Sequence, residues 1–243
     1  HDGTLALQGT FLAVAEQSGL IVPIGDRVLQ AAALAARDWH RGPWPEARVA
    51  INVAPQQFLD GGFVARVERL LVETALPPAC IEIELTESVL QTGAQTIDAL
   101  RALQAFGVSI ALDDFGTDFS SMTSLEKLPL SRVKIDRSLV AEVDTNARSA
   151  AIARSIIRLC QDLSLAVTAE GVERGSQVEW LLGCGPVSVQ GYWFARPLAA
   201  GDVVPARALA RVRAAEVARL VLDRKSGAEI VAMPSPRRAR RRE

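Results

Sequence analysis

The chain has 243 residues, 49% of them apolar and 23% charged, with a formal charge of −1 at pH 7. That length buries a sizeable core in one large α/β domain or two small ones, and the composition is that of a soluble globular protein. Five arginines (Arg237, Arg238, Arg240, Arg241 and Arg242) crowd the C-terminus, so the rest of the chain is acidic by comparison and lacks the basic face that a nucleic-acid polymer requires.

In chain order the hydrophobic pattern predicts a helix at 25–41, a strand at 48–53, a helix at 62–74 and a strand at 80–85. A helix at 94–105 and strands at 108–112 and 132–135 follow, then a helix at 148–163 with Ile152, Ile156, Ile157 and Cys160 as its apolar stripe. A strand at 165–169, a helix at 175–182 and a strand at 187–189 complete the series, with Pro77, Pro78, Gly183 and Gly185 breaking the pattern just before strands. From Gly201 the rhythm stops. Residues 201–223 read as one amphipathic helix, with Pro205 tolerated in its first turn, and 224–243 as a disordered arginine-rich tail. Residues 1–200 are therefore expected to form the main domain. No apolar run approaches the roughly 20 residues of a membrane helix, and no signal-peptide pattern is present. Cys80, Cys160 and Cys184 have no metal-type spacing and read as buried thiols, which suits a reducing, cytoplasmic setting.

Six strands alternating with helices imply a parallel sheet, either an open doubly wound sheet or a barrel. The residues that close the strands decide between them. Asn52 ends the first, Glu84 and Glu87 the second, Asp113 and Asp114 the third, Lys134 and Asp136 the fourth, Glu170 and Glu173 the fifth, and Gln190 the sixth. Polar groups emerging from the C-terminal ends of many strands build the active site of a (β/α) barrel. An open sheet gathers its ligand at one switch point, usually over a glycine-rich turn, and no such turn is present. The barrel is the better reading.

Clustered carboxylates repel one another at low dielectric, and bound divalent cations are the simplest remedy. The oxygen set Asn52, Glu84, Asp113 and Asp114 suits Mg²⁺ or Mn²⁺, whereas zinc is disfavoured because His1 and His40 are the only histidines. Adjacent Asp113 and Asp114 suit two ions about 3.5–4 Å apart, the spacing of two-metal phosphoryl hydrolysis. Lys134 is expected to orient a water or offset phosphate charge, and Glu170 to coordinate a metal-bound water or accept its proton. Taken singly, Asp114 reads as a turn residue and Lys134 with Asp136 as a surface pair; coincidence at every strand end does not.

The segments Glu84-Leu-Thr-Glu87, Asp113-Asp-Phe-Gly-Thr117, Val133-Lys-Ile-Asp136, Ala169-Glu-Gly-Val-Glu173 and Gln190-Gly-Tyr192 resemble, in order and spacing, the signature stations of the EAL domain family. Gly19-Leu-Ile-Val-Pro-Ile-Gly25 and Asn52-Val-Ala-Pro-Gln-Gln-Phe58 resemble two more. The resemblance implies a TIM-type (β/α) barrel that hydrolyses cyclic di-GMP to linear pGpG with two Mg²⁺ or Mn²⁺ ions. It gives metal ligation to Asn52, Glu84, Asp113 and Asp114, the attacking water to Lys134 and Glu170, and the site wall to Gln190. Glu87 would hold the loop after Asp114, including Gly116 and Thr117, and that loop would couple the site to a homodimer face. Glu173 and Asp136 are secondary candidates, while Arg196 and Pro197 either shape a guanine pocket or form an ordinary loop. The resemblance also implies a GGDEF or sensory domain upstream.

Departures from the family's pattern qualify these expectations. The family's first two strands, including the Glu-Ala-Leu signature itself, would lie before His1, so the chain is read as truncated, with metal binding and turnover impaired. Asp118 and Phe119 replace the family's Gly and Tyr, and Ala54 its serine. The alternative function is therefore an EAL-like sensor or interaction module that binds cyclic di-GMP without cleaving it.

Overall fold

The computed structural model describes residues 8–59, 61–117 and 122–225. Two helices, α1 (Gln8–Gln17) and α2 (Ile21–Arg41), lead into β1 (Val49–Asn52), α3 (Phe63–Thr74), β2 (Ile81–Leu85) and α4 (Ala94–Phe106). Then come β3 (Ser109–Phe115), α5 (Met122–Lys127), β4 (Arg132–Ile135), the one-turn α6 (Arg137–Val140) and α7 (Ala147–Asp162). The series ends with β5 (Ala166–Ala169), α8 (Gly175–Leu182), β6 (Ser188–Val189) and α9 (Ala200–Lys225).

Among the described residues six strands pair in parallel, in the order β1 to β6. Successive side chains on a strand point to opposite faces. Ile51, Ile81, Ile83, Leu85, Ile110, Leu112, Val133, Ile135, Val167 and Ala169 are all buried within one hydrophobic core, and they occupy one parity through the register. The helices cover that face: α3 presents Phe63, Val67 and Leu71, and α4 presents Leu100 and Leu103. The opposite parity carries polar groups. Arg132 on β4 donates to Glu82 on β2 at 3.0 Å and to Ser188 on β6 at 3.4 Å. Side chains from alternate strands meeting in one layer mark a sheet curled into a half-barrel. β1 and β6 are its two edges, and on β1 Ala50 and Asn52 are exposed.

Several boundaries differ from the sequence expectation. β3 continues to Phe115 because Leu112 and Phe115 both pair with β4 across a register shift. On α7 the buried line is Ala153, Ile157 and Cys160, while Ile152 is 42% exposed. Ile156, Ile157 and Cys160 of the predicted stripe pack on the core, and Ala153 takes the place expected for Ile152. α6 was not expected; Asp136 creates it by accepting the Ser138 backbone N–H at 2.8 Å as an N-cap. α2 begins at Ile21, four residues earlier than the pattern predicted, since Pro23 falls in the first turn, where a proline lacks nothing the helix needs. α9 starts at Ala200 and ends at Lys225. The rest of the predicted arginine-rich tail, 226–243, lies outside the described residues, as do His1, Asp118 and Phe119.

Among the described residues no single helix is long and apolar enough to cross a membrane; one pair, Phe11–Gln17 with Ile21–Arg41, passes that test only together and is bent by 120°.

Candidate metal and catalytic site

The parity that buries the apolar residues on the helix side puts Asn52, Glu84, Asp113, Lys134, Glu170 and Gln190 on the concave side, at the C-terminal ends of six strands. Four of these side chains touch. The Lys134 ammonium lies 2.7 Å from Glu84, 2.9 Å from Asp113 and 2.7 Å from Glu170. Its side chain is 6% exposed, and those of Glu84, Asp113 and Glu170 are 7%, 12% and 18% exposed. A buried charge survives only when paired in this way.

Asp114 needs a different device, because a regular strand would turn it away from Asp113. The register shift between Leu112 and Phe115 is a β-bulge, and Asp114 sits in it with φ 55°. Bulges re-aim side chains beside active sites, and aspartate tolerates the left-handed region better than most residues. As a result, carboxylate oxygens of Asp113, Asp114 and Glu170 lie within 4.8 Å of one another. The bulge is braced from outside. Thr117 donates through its hydroxyl to the Asp114 carbonyl at 3.2 Å, and the Asp136 N–H donates to the Phe115 carbonyl at 3.1 Å. Gly116, at φ 103°, packs so closely on Leu139 of α6 that a Cβ would collide with it.

Electrostatics follow from this geometry. Burial, followed by the negative charge of Asp113, holds the carboxyl of Glu84 above its ordinary value against the pull of Lys134. Glu170 is raised for the same reasons, with Asp114 adding to the repulsion. Burial and the charges of Asp113 and Asp136 raise Asp114. Burial alone would lower Lys134, but hydrogen bonds to Glu170 and Glu84 outweigh it and hold the ammonium well above its ordinary value. Four carboxylates around one ammonium leave an excess of three negative charges. This all-oxygen, electron-rich set fits a hard divalent cation and contains no thiol or imidazole that would favour zinc.

The other predicted residues have environments of their own. Asn52 is level with Glu84 in the register but exposed on the open β1 edge. Gln190 is fixed by its backbone, which donates to Ala169 and accepts from Val172, while its side chain is exposed. Glu87 opens the 3-10 turn Glu87–Thr92 after β2 and is half-buried. Asp136 serves as the α6 cap, and hydrogen bonds from Ser138 and Arg137 outweigh burial and lower its carboxyl. Glu173 is exposed, and its N–H donates to Gln177. Arg196 stacks on the exposed ring of Tyr192 at 4.6 Å, followed by exposed Pro197. Sequence reasoning missed Arg132 with Glu82, the polar layer beneath the cluster, although both lie two residues before a singled-out residue and so share its face. It also missed Gln177.

Residues 1–197 match the EAL domain family. The bifunctional diguanylate cyclase/cyclic di-GMP phosphodiesterase MucR of Pseudomonas aeruginosa is 38% identical over 201 residues, 82% of this chain and 29% of MucR. This chain spans less than a third of the length of such curated relatives. The fold is similar to that of the PaMucR phosphodiesterase in complex with cyclic di-GMP, with a TM-score of 0.76 and 38% identity, covering 83% of this chain and 82% of that one. It is also similar to a Klebsiella pneumoniae BlrP1 complex with manganese and cyclic di-GMP, with a TM-score of 0.69 and 29% identity over 79% of this chain and 48% of BlrP1. The family match takes in all six strands and every residue of the carboxylate–lysine cluster, and this chain belongs to the EAL domain family.

Proposed function

We propose that the concave face of this chain is the catalytic face of a phosphodiesterase that opens cyclic di-GMP to linear pGpG, with Mg²⁺ or Mn²⁺ as a pair of ions. The observation that carries the proposal is the buried Lys134 ammonium held by Glu84, Asp113 and Glu170, with Asp114 turned toward the same point by a bulge. Asn52, Glu84, Asp113 and Asp114 would hold the ions, whose chemistry is to acidify a water and to offset charge on the phosphoryl and leaving oxygens.

The chain's own residues account for the rest. A water oxygen attacks phosphorus and the bond from phosphorus to the ribose 3′ oxygen breaks; the released 3′ oxygen takes a proton from solvent, so that the product carries a 5′-phosphate and a free 3′-hydroxyl. Glu170 receives the water's proton; its raised affinity for protons makes it a better base than an exposed glutamate. Lys134, charged throughout, orients that water and stabilises the developing negative charge. The Glu170 carboxylate, with an oxygen within 4.8 Å of those of Asp113 and Asp114, would also share in metal ligation. Gln190 would wall the site, with Arg196 and Pro197 near the base, and Glu87, Gly116 and Thr117 would hold the loop after β3, with Glu173 in support.

Exposed Asn52 on the open β1 edge favours a second reading, binding of the dinucleotide without turnover. A homodimer through the barrel, a GGDEF or sensory domain upstream and a cytoplasmic location complete the proposal and rest on the resemblance. The deciding experiment is chromatography of cyclic di-GMP incubated with the full protein and Mn²⁺ or Mg²⁺. Appearance of pGpG is expected. Dinucleotide binding without product would select the sensor, and neither binding nor product would remove both readings.

A further inference from the structure

Gln177 on α8 is 1% exposed, yet it is a polar side chain with four hydrogen-bonding positions to satisfy. All four are met. Its Oε1 accepts from the backbone N–H groups of Glu173 and Arg174, both at 2.9 Å, and its Nε2 donates to the carbonyls of Val140 and Ala141, both at 3.1 Å. The first pair belongs to the loop that leaves β5 just after Glu170; the second is the C-terminal end of α6, which follows β4 and Lys134. One amide therefore spans the two loops whose side chains meet 2.7 Å apart in the site.

The surrounding contacts make this span stiff. The Glu170 N–H donates to the Ile135 carbonyl at 3.0 Å, and the Val172 N–H to that of Gln190 at 3.0 Å. Gly171 packs against Arg137 so closely that a Cβ would collide. On the outer side Arg174 donates to the Ala141 carbonyl at 2.6 Å and pairs with Asp144. A buried polar group with every partner in place rigidifies its neighbourhood, and the same group with its partners lost is costly. On the other side of α6, Leu139 touches Gly116 in the loop that follows Asp114. α6 is thus held between the two loops that carry the carboxylates.

We propose that Gln177 is a positioning residue for the phosphodiester hydrolysis assigned above, fixing the separation of Lys134 and Glu170 and, through α6, the bulge that carries Asp113 and Asp114. It touches neither substrate nor ion; it acts through the backbone of both loops. Outer partners of this kind change metal affinity or activity by about 10–100-fold when removed.

The test compares Gln177→Leu, Gln177→Glu and Leu103→Ala, the last a core control on α4, in the full protein. Turnover of cyclic di-GMP, thermal unfolding and calorimetric titration of the apoprotein with Mn²⁺ are read for each. Gln177→Leu is expected to lower kcat about tenfold or more while KM stays within about twofold. It should weaken Mn²⁺ binding by a similar factor. Gln177→Glu, which keeps the accepting half but turns an oxygen toward the Val140 and Ala141 carbonyls, should lower both kcat and Mn²⁺ affinity by at least as much. Leu103→Ala should lower Tm at least as much and leave kcat and Mn²⁺ affinity unchanged. If Gln177→Leu, or Gln177→Glu should the former not fold, keeps both parameters within about twofold of wild type, the proposal fails. It also fails if Leu103→Ala reproduces the losses. A wild-type protein without turnover would defeat the functional reading instead, and the Mn²⁺ titrations would then decide the role of Gln177 alone.

Discussion

Replacing Lys134 with methionine tests the charge argument at its centre. The substitution keeps most of the length of the side chain, one heavy atom shorter, and removes the ammonium that pairs with Glu84, Asp113 and Glu170. Three ion pairs of 2.7–2.9 Å disappear from a place where the lysine is 6% exposed. Removing one partner from a buried ionic cluster costs about 3–5 kcal/mol, because the remaining charges are left without compensation. For a domain of this size that is a fall in Tm of roughly 10 °C. The sign of the pH dependence follows from the carboxyls. Glu84 and Glu170 already have folded values raised above their unfolded ones, so their protonation stabilises the fold as pH decreases, and that stabilisation is lost as pH rises through the folded values. Without Lys134 they rise further, and the deficit of Lys134→Met in chelator should be large at pH 8 and shrink by pH 5.5. Mn²⁺ affinity should hold or increase, since the excess negative charge grows, while turnover of cyclic di-GMP falls by about 10²–10³-fold with the loss of an electrostatic stabiliser. Thermal unfolding at the two pH values, with and without Mn²⁺, and a turnover assay read all of this. A deficit independent of pH, or turnover near that of the wild type, would refute the account of the cluster.

Glu170→Gln should lower kcat by about 10²–10⁴-fold as a general base is lost; a concurrent fall in Mn²⁺ affinity by calorimetry would make Glu170 a ligand as well, and unchanged turnover would remove it from the site. Gly191→Ala places a Cβ against the backbone of Val172, two residues beyond Glu170, where no side chain can move aside. It should cost about 1–3 kcal/mol in urea unfolding and reduce turnover together with stability. Gly116→Ala meets the flexible end of Leu139 instead, so Leu139→Ala should restore part of its loss, leaving the cost of φ 103°. Asp144 is held down to about 2 chiefly by its hydrogen bond from Arg174, with Ser176 adding a second. Because that folded value is depressed, Asp144→Asn should destabilise at pH 7 by about 1 kcal/mol, discounted for the exposed half of Arg174. The difference should decline from pH 4 toward pH 2, and a difference constant over that window would contradict it.

The alternation of strands and helices was legible because each parallel strand has one wholly apolar face, as in Ile81, Ile83 and Leu85, beside helices with buried residues every three or four positions. The candidate residues Glu84, Asp113, Lys134 and Glu170, which the fold brings together, were legible for the same reason: a polar residue at the end of an apolar strand has few structural duties. What the sequence did not disclose were features that depend on partners far along the chain. Gln177 looks like any glutamine in the first turn of a helix; the carbonyls of Val140 and Ala141 that it satisfies are 36 or more residues away. α6 was hidden because a one-turn helix has no period to detect, although Asp136 followed by Ser138 is its capping signal. The burial of Ala153 in place of Ile152 on α7 depends on which side of the helix meets the sheet, and both residues are apolar enough to face it.

The bulge at Asp113 and Asp114 explains how a strand brings two adjacent carboxylates to one side. Strict alternation would place Asp114 among Leu112, Ile135 and the helix-side core, where an unpaired carboxylate is untenable. A shift of the pairing by one residue, with the extra residue in the left-handed region, moves it to the polar side while leaving Phe115 to resume the core at 1% exposure. The cost of that conformation, about 1–2 kcal/mol for a residue with a Cβ, is offset by the buried Phe115 and by the hydrogen bonds from Thr117 and Asp136 that hold the bulge on either side. The irregularity is therefore bound into the core, and the carboxylate pair is set by the same packing that closes the strand.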